Sequence, residues 1–372
     1  MKPTLDPLSI LIVKTSARGD VLATLCILSH LKKLAPNMAV DWVVEQSQRD
    51  LIDAHPAIRK TLAINSKAWR KSPFSKRTRI EASDALRKLR QSRYDILFDF
   101  QGNTKSGIVT LLAKAHHKVG FSKSTVPEWP NLIATNTKIT PSLKNQQQDY
   151  LEMIYGFFGE KLPEEIFSEP IDFNISANES EKILALIPKN QKVALICSQS
   201  AWDNKRLKLR AMTSFLQRVQ AATGCKLLFA WGSDIEKCNT EKMHSDLGDS
   251  SEVLPKLNPL ELYEAMDRSD LVISVDSFSL HLAATTKTST FSIFGPSLAS
   301  YYAPIGKQHT FFQGQCPYNL SFEKRCPLLR TCKTGACTKR IDPDHLFKVF
   351  SKSTGFEALQ KEKIKEADLA KV

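Results

Sequence analysis

No apolar run in this 372-residue chain is long enough to span a bilayer. The opening residues Met1-Lys2-Pro3-Thr4-Leu5-Asp6-Pro7 lack the charged-then-apolar layout of a secretory signal. Both absences lead to the expectation of a cytoplasmic protein. The chain also shows no internal repeat at short period and no low-complexity segment, and none of its eight cysteines forms a Cys-x-x-Cys pair. What is present is 42% hydrophobic content, enough to fill two cored domains.

The net charge is +13, and most of the excess sits in one place. From Arg59 to Arg93 there are twelve basic residues against only Glu81 and Asp84. A patch of this kind suits a polyanion such as a phosphorylated lipid head group, an anionic membrane surface or a nucleic acid. Trp69, Phe74 and Tyr94 are its only aromatics and no recognition fold surrounds it, so nucleic acid is not expected as a partner. Ile80, Leu86 and Leu89 suggest one amphipathic helix, which leaves Arg87 to Arg93 as a solvated face and makes the loop from Lys67 to Arg79, with Lys67, Arg70, Lys71 and Arg77, the better anion site.

Ser9 to Asp20 reads as strand, loop and helix: an apolar run, a small turn containing Gly19, then an acid ahead of Val21 and Leu22. In an open parallel sheet, ligands bind beyond the carboxyl ends of the strands, so Asp20 would stand at the mouth of a cleft as a proton acceptor. The competing reading is that Asp20 only caps the helix. Strand-like runs at Ile10–Val13, Val40–Val44 and Ile96–Phe100 alternate with helix-like stretches at Val21–Lys33 and Ile80–Gln91, the βαβ rhythm of a parallel sheet. A helix is expected around Tyr150–Phe158 and a linker at Pro163–Pro170. A second series then runs through Val193–Cys197, Lys226–Trp231 and Leu271–Val275 and closes at Phe291–Phe294. The expected division is 1–165, 166–345 with a cysteine-rich segment 316–337, and a helix or tail over 346–372.

Lys14-Thr15-Ser16-Ala17-Arg18-Gly19-Asp20-Val21-Leu22 resembles the opening motif of the ADP-heptose:lipopolysaccharide heptosyltransferases, nearest their heptosyltransferase I members. Asp41-Trp42-Val43-Val44-Glu45, Lys67-Ala68-Trp69-Arg70-Lys71 and Tyr94-Asp95-Ile96-Leu97-Phe98-Asp99-Phe100-Gln101-Gly102 follow in the family's order. Trp231-Gly232-Ser233-Asp234-Ile235-Glu236 and Ser274-Val275-Asp276-Ser277-Phe278-Ser279-Leu280-His281-Leu282-Ala283-Ala284 match its second half. The resemblance covers most of the chain to about Pro296. It implies an α/β chain of GT-B architecture, two Rossmann-like domains facing across a cleft, with acceptor chemistry in the first and a nucleotide sugar in the second.

The resemblance further implies an inverting, metal-independent transfer of heptose from ADP-L-glycero-β-D-manno-heptose to the Kdo region of inner-core lipopolysaccharide, at the cytoplasmic face of the inner membrane and without a cofactor. Asp20 would be the base, and Lys205 would hold the departing pyrophosphate. Ser200, Glu236, Asp276, Ser277, Phe278 and His281 would line the donor site, the amides near Ser277 opening a helix toward phosphate. Ser16, Arg18 and Gly19 of the opening motif, with Lys67, Arg70, Lys71, Arg77, Gln101 and Lys105, would meet a Kdo-lipid A type acceptor. Each has a structural alternative: Asp276 and Ser277 as helix caps, His281 as a core histidine, Lys205 as a surface lysine, Gln101 and Lys105 as solvated loop residues. Two departures from the family bear on donor identity, Phe278 in place of glycine and Arg206-Leu207-Lys208-Leu209 in place of an aromatic and a proline.

No Asp-x-Asp motif lies beside the donor residues, so no catalytic metal is expected. Cys316, Cys326, Cys332 and Cys337 cluster closely enough for a structural zinc or iron site, but at spacings that lack paired knuckles. Reduced or partly paired thiols are the alternative there, and Cys26, Cys197, Cys225 and Cys238 are expected as buried reduced thiols. Two other functional classes stay open: a GT-B transferase of other specificity, such as protein O-heptosylation or addition of another core sugar, and a non-catalytic module binding anionic surfaces.

Overall fold

The computed structural model describes residues 7–166 and 169–360, and the chain divides into two compact units, one ending at Asn174 and one beginning at Ile175. Phe167 and Ser168 of the expected linker and the end of the expected tail lie outside the described residues. Within the first unit a six-stranded parallel sheet is built from β1 (Leu8–Val13), β2 (Met38–Glu45), β3 (Ile58–Ile64), β4 (Tyr94–Asp99), β5 (Ala115–Phe121) and β6 (Thr137–Ile139) in the order β3-β2-β1-β4-β5-β6. The second unit holds β7 (Val193–Cys197), β8 (Lys226–Phe229), β9 (Ser251–Val253), β10 (Leu271–Val275), β11 (Ser289–Phe294) and β12 (His309–Gln313) in the order β12-β11-β10-β7-β8-β9.

Each sheet is the doubly wound arrangement in which the first and fourth strands of the unit are neighbours, β1 beside β4 and β7 beside β10. Connections leave toward opposite faces at those two points, opening a crevice beyond the carboxyl ends of the strands. The central strands are buried on both faces, so Ile10–Val13 and Leu271–Ile273 are fully covered and read as continuous apolar runs. Phe215, Phe291 and Phe350 pack edge-on or tilted in the second core, with centroids 5.0 to 6.2 Å apart.

Several local expectations are corrected. The stretch expected as one helix over Val21–Lys33 is two, Arg18–Leu25 and Ile27–Leu34. At the break the Thr24 hydroxyl donates to the Asp20 carbonyl at 2.7 Å and the Cys26 thiol to the Ala23 carbonyl at 3.1 Å, competing with the backbone ladder. The second series does not close at Phe294, because β12 adds an outer strand. The loop expected over Lys67–Arg79 is largely helical, as Ser66–Lys71 and Lys76–Gln91. In that second helix Leu89 joins the core with Ala85 packed against it, while Ile80 is 60% and Leu86 36% exposed, so only part of the expected apolar stripe is a core face. Cys238, expected buried, is exposed.

Two buried histidines give the fold a pH dependence. Burial pushes His55 and His309 from 6.5 down to about 4, the first offset slightly by a backbone hydrogen bond. The Ala57 N–H donates to the His55 Nδ1 at 3.1 Å, which needs the neutral ring. A depressed folded-state pKa contributes stability that is complete above the unfolded value and is lost as pH falls through the window between the two. Thermal melts should therefore fall steadily from about pH 6.5 to about pH 4, less steeply in a His309→Asn protein. A melting temperature flat across that window would contradict the assignment.

Candidate active site

Most of the residues singled out from the sequence gather beyond the carboxyl ends of β1 and β4 in the first unit and of β7 and β10 in the second, the switch points of the two sheets. Lys67, Arg70, Lys71 and Arg77 instead sit on the helices after β3.

At the first switch point Asp20 is the third residue of the helix Arg18–Leu25, partly exposed. One carboxylate oxygen accepts the Ala17 N–H at 3.2 Å, the capping contact, and the other accepts the Gln146 amide at 3.0 Å. Capping therefore takes up one oxygen. Gln146 also donates to the Tyr150 hydroxyl at 3.1 Å, and Lys14 donates to that hydroxyl at 2.8 Å and to the Phe100 carbonyl at 3.0 Å. Burial lowers the Lys14 pKa, and the charges of Asp20 and Asp99 oppose that shift. Lys14, Gln146 and Tyr150 were not identified from the sequence as site residues. The one available signal was a lysine set directly behind four apolar strand positions.

Gln101 is aimed back at the motif. Its side-chain oxygen accepts the Ser16 N–H at 3.0 Å and the Thr15 N–H at 3.2 Å. The turn that aims it is held by Asp99, which accepts the Gln101 and Gly102 N–H groups at 3.0 and 2.9 Å. Burial raises the Asp99 pKa against the pull of those and other hydrogen bonds. Gly102 has φ +68°, and a Cβ there would lie 2.6 Å from Pro127, so the turn requires glycine. Lys105 pairs with Glu45 at 2.8 Å and reaches the Ser16 hydroxyl at 3.5 Å. Ser66 also hydrogen-bonds Glu45, which tethers the start of the basic helix that carries Lys67, Arg70 and Lys71. Ser16, Gln101 and Lys105 thus come together. Arg18 bonds the Ser47 carbonyl at 3.3 Å, and Gly19 lies in the first turn of the helix. Lys67, Arg70 and Lys71 are exposed, and Arg77 is held by Glu81 at 2.7 Å.

The second switch point is centred on an ion pair. Lys205 and Asp276 meet at 2.6 Å with side chains 9% and 8% exposed, so Lys205 is not a surface lysine. Burial pushes the Asp276 carboxyl up, but the Lys205 charge and hydrogen bond, helped by Ser297 and His281, outweigh it and hold the pKa below the usual carboxylate value. The Ser200 hydroxyl donates to the Asp276 carbonyl at 3.4 Å, and Ser277 opens the helix Phe278–Ala283. His281 is buried on that helix within electrostatic range of Asp276. Phe278 is partly buried one residue into it. Glu236 accepts the Gly232 N–H at 2.8 Å and acts on the buried Cys197 of β7, whose thiol burial raises to about 12. Ser200, Lys205, Asp276, Ser277 and His281 are brought together, with Glu236 bordering the same strand end.

Lys205 ends the turn Asp203–Lys205, and the cysteine-rich segment grips that turn. Asn204 donates to the Leu329 and Cys332 carbonyls at 2.9 Å each, the Thr338 hydroxyl donates to the Asn204 carbonyl at 2.8 Å, and Lys339 pairs with Asp203 at 3.1 Å. Cys316, Cys326, Cys332 and Cys337 are free, partly buried thiols. Among the described residues no three His, Cys, Asp or Glu side chains form a metal-holding group. The segment's visible role is to brace Lys205. Among the described residues no helix is long and apolar enough to cross a membrane.

Chemically, the first site offers a carboxylate oriented from both sides, and the second a buried ammonium beside helix-opening amides, which suits a diphosphate. The chain is 26% identical over 310 residues to lipopolysaccharide heptosyltransferase 1 of Salmonella typhimurium, covering 80% of this chain and 92% of that protein. It is 21% identical over 322 residues to the Pseudomonas aeruginosa protein of the same name, covering 85% and 87%. In fold it is similar to a glycosyl transferase family 9 structure from Veillonella parvula, at TM-score 0.76 and 15% identity over 96% of this chain and 98% of that one. It is likewise similar to the E. coli heptosyltransferase WaaC with ADP, at TM-score 0.71 and 24% identity over 82% and 92%. Residues 84–331, more than half of the chain, match the family described as glycosyltransferase family 9 (heptosyltransferase), and the chain belongs to that family of glycosyltransferases.

Proposed function

We propose that the protein transfers heptose from ADP-heptose to the Kdo region of lipopolysaccharide by a single inverting displacement. Asp20 removes the proton of the acceptor hydroxyl while its oxygen attacks the anomeric carbon from the face opposite ADP. Positive charge builds on the sugar ring and negative charge on the leaving diphosphate. Lys205 and the amides opening at Ser277 stabilise the diphosphate. The observation that carries this reading is the buried Lys205–Asp276 pair: a lysine held largely out of water at a sheet switch point is placed to receive a phosphate. The ADP bound in the fold-similar WaaC structure supports a nucleotide diphosphate as leaving group.

Gln146 and the Ala17 amide fix the Asp20 carboxylate, and Tyr150 ties that arrangement to Lys14. Ser200, Glu236 and His281 complete the donor side, with Phe278 shaping the sugar pocket. Ser16, Arg18, Gly19, Gln101 and Lys105 contact the acceptor sugar, and Lys67, Arg70, Lys71 and Arg77 meet its carboxylates and phosphates on the cytoplasmic side of the inner membrane, where the enzyme binds peripherally. The reaction needs no cofactor. Incubating the protein with ADP-heptose and either Kdo-lipid A or a protein acceptor, with product masses read by mass spectrometry, tests this. One added heptose on Kdo-lipid A is expected, and label on the protein acceptor alone would overturn the acceptor assignment.

A further inference from the structure

The helix Thr104–Leu112 is built inside out. Its buried positions include Ser106, Gly107 and Thr110, while Ile108, Leu111 and Leu112 are 56%, 58% and 36% exposed. Positions i, i+3 and i+4 share one helix face, so this apolar face is turned to solvent. The inward polar face is fixed by bonds. Thr110 donates to Asp99 at 3.0 Å, and Asn131 donates to Asp99 at 2.7 Å and to Ser106 at 3.2 Å. The helix cannot roll over without abandoning those buried groups.

Neighbouring elements extend the face. Asn131 belongs to the turn Trp129–Ile133, which packs against the helix at Gly107 and exposes Trp129 and Ile133 at 71% each. On the other side Leu86 lines the same groove as Ile108 and Leu112. Cations border the face: Lys118 donates to the Leu111 carbonyl at 3.0 Å within electrostatic range of Arg90, Lys114 is exposed just past the helix, and Arg87, paired with Asp84, follows Leu86. A second copy of this +13 chain would set one cationic rim against another. An anionic lipid surface satisfies both the apolar face and its rim.

We propose that this face seats the protein on an anionic bilayer, with Ile108, Leu111, Leu112 and Trp129 entering the boundary between head groups and acyl chains. The proposal deepens the membrane part of the function given above and rests on it for its purpose, though it uses residues other than the basic helix. Flotation with phosphatidylglycerol/phosphatidylethanolamine vesicles, set against phosphatidylcholine vesicles, tests it on the full chain. Wild type should float with the anionic vesicles, and an Ile108→Ser/Leu111→Ser protein should lose about tenfold in bound fraction, given two apolar contacts removed. Its melting temperature should not change, nor its rate on a soluble Kdo acceptor without acyl chains. Equal flotation of variant and wild type would overturn the proposal, as would a wild-type dimer that the variant dissolves with flotation unaltered. Absence of transfer to the soluble acceptor by wild type would count against the transferase reading, while flotation still decides this one.

Discussion

An Asp20→Asn enzyme should lose on the order of 10²- to 10⁴-fold in kcat, the usual contribution of a positioned general base. Its KM for the donor should change little, because the proposed donor groups lie in the other unit. The amide can still accept the Ala17 N–H, so the helix start is preserved and melting should shift only slightly. That separates the two roles open to this residue. If Asp20 were only a cap, the same replacement, which keeps the capping oxygen, would leave turnover within a few-fold. Steady-state kinetics and a melting curve on one variant decide between them.

A Lys205→Met enzyme should fail in two ways at once. Removing the cation proposed to meet the leaving diphosphate should reduce kcat by about 10²- to 10³-fold, as loss of one electrostatic stabiliser does elsewhere. It also strands Asp276, a carboxylate 8% exposed, without its counter-charge, and breaking a buried pair from one side costs about 3–5 kcal/mol. A Lys205→Met/Asp276→Asn enzyme removes the stranded charge. It should recover most of the lost melting temperature and none of the lost turnover. Recovery of both would reduce the pair to a structural element, and recovery of neither would place the damage elsewhere in the turn.

The depressed Asp276 pKa carries its own pH consequence. A carboxyl held below its unfolded value contributes stability that is present above that value and lost as pH falls through the folded one. The double variant lacks this carboxyl, so its melting temperature should fall less than that of wild type as pH drops through the carboxylate range, and the gap between the two should narrow at low pH.

The two sheets were legible where strands are central. β7 and β10 coincide with the apolar runs Val193–Cys197 and Leu271–Val275, because a strand covered on both faces leaves no polar position to break the pattern. The outer strands were not. β3 carries Arg59, Lys60 and Thr61, and β5 carries His116, His117 and Lys118; edge or near-edge positions can keep polar residues wet, which removes the periodic signal. The helix Thr104–Leu112 carries apolar residues at core spacing but faces them outward, since Asp99 and Asn131 anchor its polar side.

The site was legible as motifs and illegible as contacts. Asp20, Lys205 and Asp276 follow strand ends, a position that topology makes functional and a linear pattern can suggest. Their partners are distant: Gln146 reaches Asp20 across 126 positions, and Lys14 reaches Tyr150 across 136. No local spacing encodes such meetings. They arise because the helix Gln146–Phe158 packs against the helices that follow β1.

The most direct measurement is the anomeric configuration of the new linkage, read by proton and carbon NMR on the purified product made from ADP-β-heptose. One displacement with Asp20 as base predicts an α-linked heptose. A β-linked product would mean two displacements through a covalent or otherwise double-inverting route, and the assignment of Asp20 and Lys205 to a single step would be wrong.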